Sequence, residues 1–219
     1  KVSNYPGVTV EQKLGHGILT NGKKIQYLDL PGTYSITPES FDEQVVTELV
    51  YQWMHGDNMP DAIITILDAS NLNRNLYLAL QLMELGIPVI LALNMMDVAK
   101  RKKNEPDITM LNNMFPNVKV VQLSATEKWG IPHLKNALGE IFDTGTIIPT
   151  PSQLPIPDNV KNILNPLINI FKTDFGYSDN LAVMQALRIT TNNHSMKIYN
   201  SPNINFKNVS NEVLEELLQ

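Results

Sequence analysis

Alternation of apolar and polar positions divides the chain into two regimes. From about residue 7 to 145, short β-prone runs alternate with segments of helical period. The runs at 24–29, 62–67, 89–93 and 118–123 predict strands. Three of them are nearly continuous apolar stretches, as expected where helices cover both faces of a parallel sheet. Helical periodicity over 40–55, 72–85, 107–115 and 131–142 fills the intervals. This order predicts a doubly wound, mostly parallel α/β sheet with right-handed crossovers. Residues 15–19 are placed to pair with 24–29 as a hairpin through Asn21-Gly22, a strong turn dipeptide.

The second regime begins near Ile147. Four prolines between Ile147 and Pro157 predict an extended linker. Helical patterns follow at 158–172, 179–190 and 209–218, with Asp158 and Ser210 as candidate N-caps. The expected organisation is an α/β domain over 1–145, a linker over 146–157 and a small all-helical domain over 158–219.

Composition narrows the function classes. The 219 residues suit one or two domains, and 43% hydrophobic with 18% charged residues is ordinary globular composition. The absence of cysteine excludes disulfides and thiolate metal sites. A net charge of −5 disfavours nucleic acid as a partner. The longest apolar stretch, Ile87 to Met96, is interrupted by Pro88 and Asn94 and suits a buried strand rather than a membrane span. The first residues carry neither a signal-peptide core nor an initiator Met, so the sequence reads as part of a longer protein.

In open α/β sheets ligands bind beyond the carboxyl ends of the strands. After 24–29 comes Asp29-Leu30-Pro31-Gly32, where a carboxylate can hold a Mg²⁺-bound water and a glycine lets a backbone N–H approach a phosphate. After 89–93 comes Asn94-Met95-Met96-Asp97. A carboxylate at Asp97 can accept from guanine N1–H and N2–H₂, whereas adenine presents an acceptor at N1. The Asn94 side chain can brace the loops around a base. After 118–123 comes Ser124-Ala125-Thr126, where a backbone N–H can reach guanine O6. Near the start, Gly7-Val8-Thr9 offers a hydroxyl able to ligate Mg²⁺ from a switching loop. Each piece also reads as an ordinary turn, cap or strand exit. The nucleotide reading comes from their order and from the placement of three of them at strand ends.

That order resembles small GTPases, and the fuller wording resembles the cytoplasmic GTPase domain of the ferrous-iron transport protein B family, FeoB. The similar runs are 4–11, 29–35, 68–78, 81–88 and 92–97, within residues 1–142. The resemblance implies GTP hydrolysis to GDP and phosphate with Mg²⁺, in some members stimulated by K⁺, and coupled to Fe²⁺ uptake. It places the domain on the cytoplasmic face of the bacterial inner membrane, beside the parent protein's own membrane pore domain, and leaves room for a homo-oligomer. Carried over by position, Gly7, Val8, Thr9, Asp29, Leu30, Pro31 and Gly32 face the phosphates. Asn94, Met95, Asp97, Ser124, Ala125 and Thr126 face guanine, Thr9 and Asp29 serve Mg²⁺ (Asp29 through water), and Thr9, Gly32 and Thr33 serve hydrolysis.

The family's phosphate-binding loop, Gly-x-x-x-x-Gly-Lys-Ser/Thr, does not occur in the sequence. The resemblance puts it upstream of Lys1, together with a central strand and the first helix. Thr33 stands where many signalling GTPases carry a water-positioning Gln, and Met95 where many carry Lys. Two other readings remain: a soluble GTPase of ribosome or tRNA maturation, and a non-catalytic regulatory module without the phosphate loop. The four histidines are scattered without ligand spacing, Lys100 to Lys103 reads as a solvated face, and Met83, Met110 and Met114 read as core filling.

Overall fold

The computed structural model describes residues 13–34, 36, 41–54, 58–144 and 157–191. Gly7, Val8, Thr9, nearly all of the linker and the helix expected at 209–218 lie outside them. The chain divides into two compact units, Lys1–Pro151 and Ser152–Gln219.

In the first unit, strands β1 (Lys13–Ile18) and β2 (Lys24–Asp29) form the expected antiparallel hairpin, with Lys13 opposite Asp29. Its turn closes through Leu19 N–H donating to Lys23 O at 2.9 Å, and Gly22 supplies the left-handed φ of +83°. Strands β3 (Ile63–Asp68), β4 (Val89–Asn94) and β5 (Lys119–Gln122) make a separate parallel sheet in the order β3-β4-β5. Its described helices are α1 (Phe41–Met54), α2 (Leu72–Met83), α3 (Met96–Arg101), α4 (Ile108–Met114) and α5 (Ile131–Thr144).

Strand β4 lies between two neighbours and is buried along Val89–Leu93. Its period of two sends Val89, Leu91 and Leu93 into one apolar layer with Val50, Met83 and Leu111. Ile90 enters the opposite layer with Ala137, Leu138 and Ile141 of α5. The hairpin turn is fastened to α5: Lys23 Nζ lies 2.7 Å from Asp143 Oδ1, and Asn21 donates to Asp143 Oδ2 at 3.0 Å.

Several expectations need correction. Strand β3 is covered on one face only among the described residues: Thr65 and Leu67 are buried, while Ile64 and Ile66 are 38% and 68% exposed. Its apolar run therefore overstated its burial. Met83 is a core residue, but Met110 and Met114 are exposed, because α4 turns Leu111 inward and Phe115 follows on the same face. The short helix α3 and the single 3-10 turn Ala69–Asn71 were not legible from periodicity, being less than two turns long.

The second unit contains α6 (Asp158–Thr173) and α7 (Asp179–Thr191). Pro157, not Asp158, holds the cap position of α6; Asp158 sits in the first turn, where its charge suits the helix dipole. Leu167 and Phe171 of α6 and Ala182 and Ala186 of α7 are fully buried. The Phe171 and Tyr177 rings stack at 5.6 Å, and Lys172 pairs with Asp179 at 2.6 Å across the connection. Phe171→Ala is expected to cost about 3–5 kcal/mol by denaturant unfolding, and Ile163→Ala, at 63% exposure, less than about 0.5 kcal/mol. Equal effects would mean that this seam is not the core of the unit.

Candidate functional site

Parallel pairing puts the carboxyl ends of β3, β4 and β5 on one edge of the sheet, with Asp68 opposite Asn94 and Gln122 opposite Leu93. Leu123 N–H extends the β4–β5 ladder by donating to Leu93 O at 2.9 Å. The chain leaves β4 at Asn94 and bends at Met95, which adopts a left-handed φ of +62°. That conformation costs roughly 1–2 kcal/mol for a side-chain-bearing residue. Val98 N–H and Ala99 N–H bond the Met95 carbonyl at 2.9 and 3.0 Å, and Met96 N–H reaches Leu123 O at 3.4 Å. The bend starts α3 at once and sets Asp97 in its first turn. Met95, not Asn94 or Asp97, occupies the cap position, and Asp97 is left for other work.

The Asp97 side chain turns toward Ser124. Ser124 Oγ donates to Asp97 Oδ1 at 2.8 Å and accepts Glu127 N–H at 3.2 Å, so the hydroxyl is oriented from both sides. Ser124 is fully buried and Asp97 is 9% exposed. One helical turn on, Arg101 Nη2 lies 3.1 Å from Asp97 Oδ2. The Ser124 hydrogen bond is the main reason the Asp97 carboxyl is held below its ordinary range; burial opposes it, and the Arg101 charge adds to it. Each carboxylate oxygen has two acceptor directions, so both retain capacity for a further donor such as a base edge.

Asn94 completes the group. Its Oδ1 accepts Ala125 N–H at 3.0 Å and ties the end of β4 to the loop after β5. Thr126 follows in that loop, which closes as a turn through the Ser124–Trp129 bridge. Gly130 ends it at φ +85°, where a Cβ would lie 2.4 Å from Gln122 O, so a side chain there would push the loop off β5.

The basic run after Asp97 is exposed but not merely solvated. Lys100 Nζ stands 5.5 Å above the Trp129 ring, Arg101 pairs with Asp97, and Lys102 Nζ is 3.5 Å from Ser70 Oγ. Asp68 in turn accepts Ser70 N–H at 2.8 Å, and Asn104 donates to Ser70 O at 3.3 Å. Three consecutive cations thus brace three sides of the same edge. The Asp97–Arg101 spacing of four on a helix was the one signal in the sequence for this arrangement.

The other group of expected residues follows β2. Asp29 ends the strand in an exposed position, and Leu30 packs partly against the core. Pro31 and Thr33 are half-buried, and Gly32 is exposed, with no atom of the described residues within 4 Å of where a Cβ would stand. A ligand could therefore approach the backbone at Gly32. Among the described residues no group of three or more His, Cys, Asp or Glu side chains could hold a metal. A single carboxylate at Asp29 instead fits Mg²⁺, which keeps several waters and takes one or two protein carboxylates together with substrate phosphates. His16 and His133 are both exposed. No helix among the described residues is long and apolar enough to cross a membrane.

With this geometry in view, comparison with known proteins is specific. The family model FeoB_N, described as ferrous iron transport protein B, matches residues 1–138. The Fe(2+) transporter FeoB of Salmonella typhimurium is 44% identical over 142 residues, which are 63% of this chain and 18% of that protein. The chain thus matches about a fifth of the length of such relatives. The cytosolic domain of L. pneumophila FeoB superposes with a TM-score of 0.76 at 33% identity, covering 100% of this chain and 83% of that one. The cytosolic domain of the T. maritima FeoB iron transporter in a GDP form gives 0.74 at 26% identity, covering 100% and 80%. The fold is accordingly the small-GTPase type of α/β domain.

The depressed Asp97 carboxyl has a consequence for stability. A folded value below the ordinary 3.8 stabilises the native state above that pH, and the contribution is lost as pH falls through the folded value. Ser124→Ala removes the main cause of the depression. Its destabilisation, measured by urea unfolding, is expected to be largest near neutral pH and to shrink below about pH 4. A gap that does not vary with pH would place the effect in packing rather than in the carboxylate.

Proposed function

The chain belongs to the FeoB N-terminal family, ferrous iron transport protein B, and from that membership we propose that it binds guanine nucleotide at the carboxyl edge of its sheet and hydrolyses GTP in the service of Fe²⁺ uptake. The observation that carries this reading is the buried Ser124–Asp97 hydrogen bond beside the Asn94–Ala125 tie. It presents an ionised, oriented carboxylate at a strand end. Guanine offers that carboxylate two donors, N1–H and N2–H₂. Adenine offers a lone pair at N1, which would face a carboxylate lone pair, and is rejected. Family membership also displaces the ribosome- and tRNA-maturation reading.

On this proposal Asn94, Met95, Asp97, Ser124, Ala125 and Thr126 surround the base. Asp29, Leu30, Pro31 and Gly32, with Gly7, Val8 and Thr9, face the phosphates. Hydrolysis is attack of water on the γ-phosphorus with release of GDP and phosphate. The chain's part is to hold the γ-phosphate oxygens with the Gly32 N–H and to exclude stray geometry, since such transfers depend mainly on positioning and charge stabilisation. Thr33 offers a hydroxyl where a longer amide would orient water, so backbone groups take that role. Bound Mg²⁺, reached by Thr9 and through water by Asp29, would neutralise phosphate charge, and K⁺ would add to that neutralisation. The Salmonella relative is called an Fe(2+) transporter. The proposed setting is therefore the cytoplasmic face of the bacterial inner membrane, next to the parent protein's pore domain, with nucleotide state coupled to Fe²⁺ passage.

Titration with a fluorescent GDP analogue in Mg²⁺ buffer, with GTP, ATP and xanthosine diphosphate as competitors, tests the reading. GTP is expected to compete and ATP not. Asp97→Asn exchanges one acceptor for a donor, so GDP affinity should fall about 10–100-fold, the worth of a charge-assisted hydrogen bond. Xanthosine diphosphate, with a carbonyl in place of the amine, should gain. Unchanged GDP affinity in Asp97→Asn would remove this carboxylate from base recognition.

A further inference from the structure

Arg101 is the last residue of α3, one turn beyond Asp97, and its side chain is 67% exposed. Its Nη2 nevertheless lies 3.1 Å from Asp97 Oδ2, while Ser124 Oγ donates to the other oxygen, Oδ1, at 2.8 Å. An exposed ion pair is ordinarily weak, because a long side chain must give up its freedom to hold one geometry. Here the backbone that carries Arg101 is fixed by its neighbours. Lys102 N–H donates to Val98 O at 3.0 Å, Asn104 Nδ2 donates to Ser70 O at 3.3 Å, and Lys100 Nζ stands over the Trp129 ring. The guanidinium therefore starts from a set point, four residues along the helix from the carboxylate it meets.

What this contact adds depends on how a carboxylate reads a base. The torsion that turns a carboxylate about Cβ–Cγ is broad and twofold. A donor on Oδ1 anchors one oxygen, and a second donor on Oδ2 fixes the plane. Ser124 and Arg101 each take one acceptor direction and leave one on each oxygen for a ligand. Guanine must place N1–H and N2–H₂ on the two oxygens at once, so it needs that plane. Hypoxanthine has N1–H but no 2-amino group, so it needs one oxygen only. We propose that Arg101 is a positioning residue: by holding Oδ2 it sets the plane of the Asp97 carboxylate, and with it the preference for guanine over hypoxanthine. The proposal rests on the guanine-nucleotide reading given above. Arg101 does not touch the nucleotide; it acts through Asp97. Lys102, next in sequence, carries the same charge but reaches toward Ser70 Oγ at 3.5 Å, which separates the effect of the charge from that of the contact.

The test compares Arg101→Met, Arg101→Lys, Lys102→Met, Asp97→Asn and the Arg101→Met/Asp97→Asn pair with wild type in the full-length protein. Each is loaded with a fluorescent GDP analogue and competed with GDP and with inosine diphosphate, and Tm is read alongside. Arg101→Met is expected to lower the preference for GDP over inosine diphosphate by about threefold to tenfold, the worth of weakening one hydrogen bond to a charged group. Arg101→Lys keeps a donor for Oδ2 and should return the preference to within about twofold of wild type. Lys102→Met should also leave it within about twofold, as expected of an exposed charge without that contact. In the Asp97→Asn background Arg101→Met should change it by less than about twofold, because both substitutions remove one interaction. If Arg101→Met does not fold, Arg101→Ala takes its place. Equal losses of GDP and inosine diphosphate, an Arg101→Lys as low as Arg101→Met, a Lys102→Met with the same loss, or a loss that persists in full with Asp97→Asn would each overturn the proposal. A wild type that binds neither nucleotide would overturn the guanine reading itself, whereas a wild type whose preference for GDP survives Arg101→Met overturns this proposal alone.

Discussion

Burial of β4 on both faces is the constraint on which the first unit depends. Its five leading residues are buried, with Val89, Leu91 and Leu93 packed in one helical layer and Ile90 in the other. A shift of one residue would exchange the layers and place Ile90 where Leu91 packs. Register and direction are therefore fixed, and with them the place where Asn94 emerges. The polar group at the edge inherits its precision from an apolar strand that has no freedom to slide.

From that fixed point the local backbone does the rest. Met95 takes a left-handed conformation, which brings Asp97 round to Ser124 within three residues of the strand end. The loop after β5 is shaped by its own bridge and by Gly130, and Asn94 joins the two segments. The carboxylate gains a hydroxyl donor on one oxygen and a guanidinium on the other, so it remains ionised despite its burial. The neighbouring Lys100 and Lys102 reach the Trp129 ring and Ser70, which links the same edge to the end of β3.

The loop after β2 is organised differently. Among the described residues no strand continues it, and Ile36 near its far end bonds side chains of α1 and α2, Thr47 and Gln81. The group around Asp97 is thus built on a sheet edge, whereas Asp29 to Gly32 lie in the loop that follows the hairpin. The open face of β3, with Ile64 and Ile66 exposed, marks where the described residues leave apolar surface uncovered.

Much was legible in the sequence because it is carried by local periodicity and by residue type. Strand and helix alternation, the Asn21-Gly22 hairpin and the three polar motifs at strand ends follow from side-chain spacing and turn chemistry alone. The six-residue helix α3 was not legible, because so short an element leaves no periodic trace. The apolar run of β3 overstates its burial, since such a run reports what a face tolerates and not what covers it. Met110 and Met114 went outward because Leu111 was already the inward residue of α4. The partners of Asp97, Lys100, Lys102 and Ile36 were decided only by tertiary structure. Which donor meets which acceptor across 27 residues, as for Ser124 and Asp97, or 45, as for Ile36 and Gln81, depends on how layers pack. Sequence determined the groups available; packing determined which of them could lose water together.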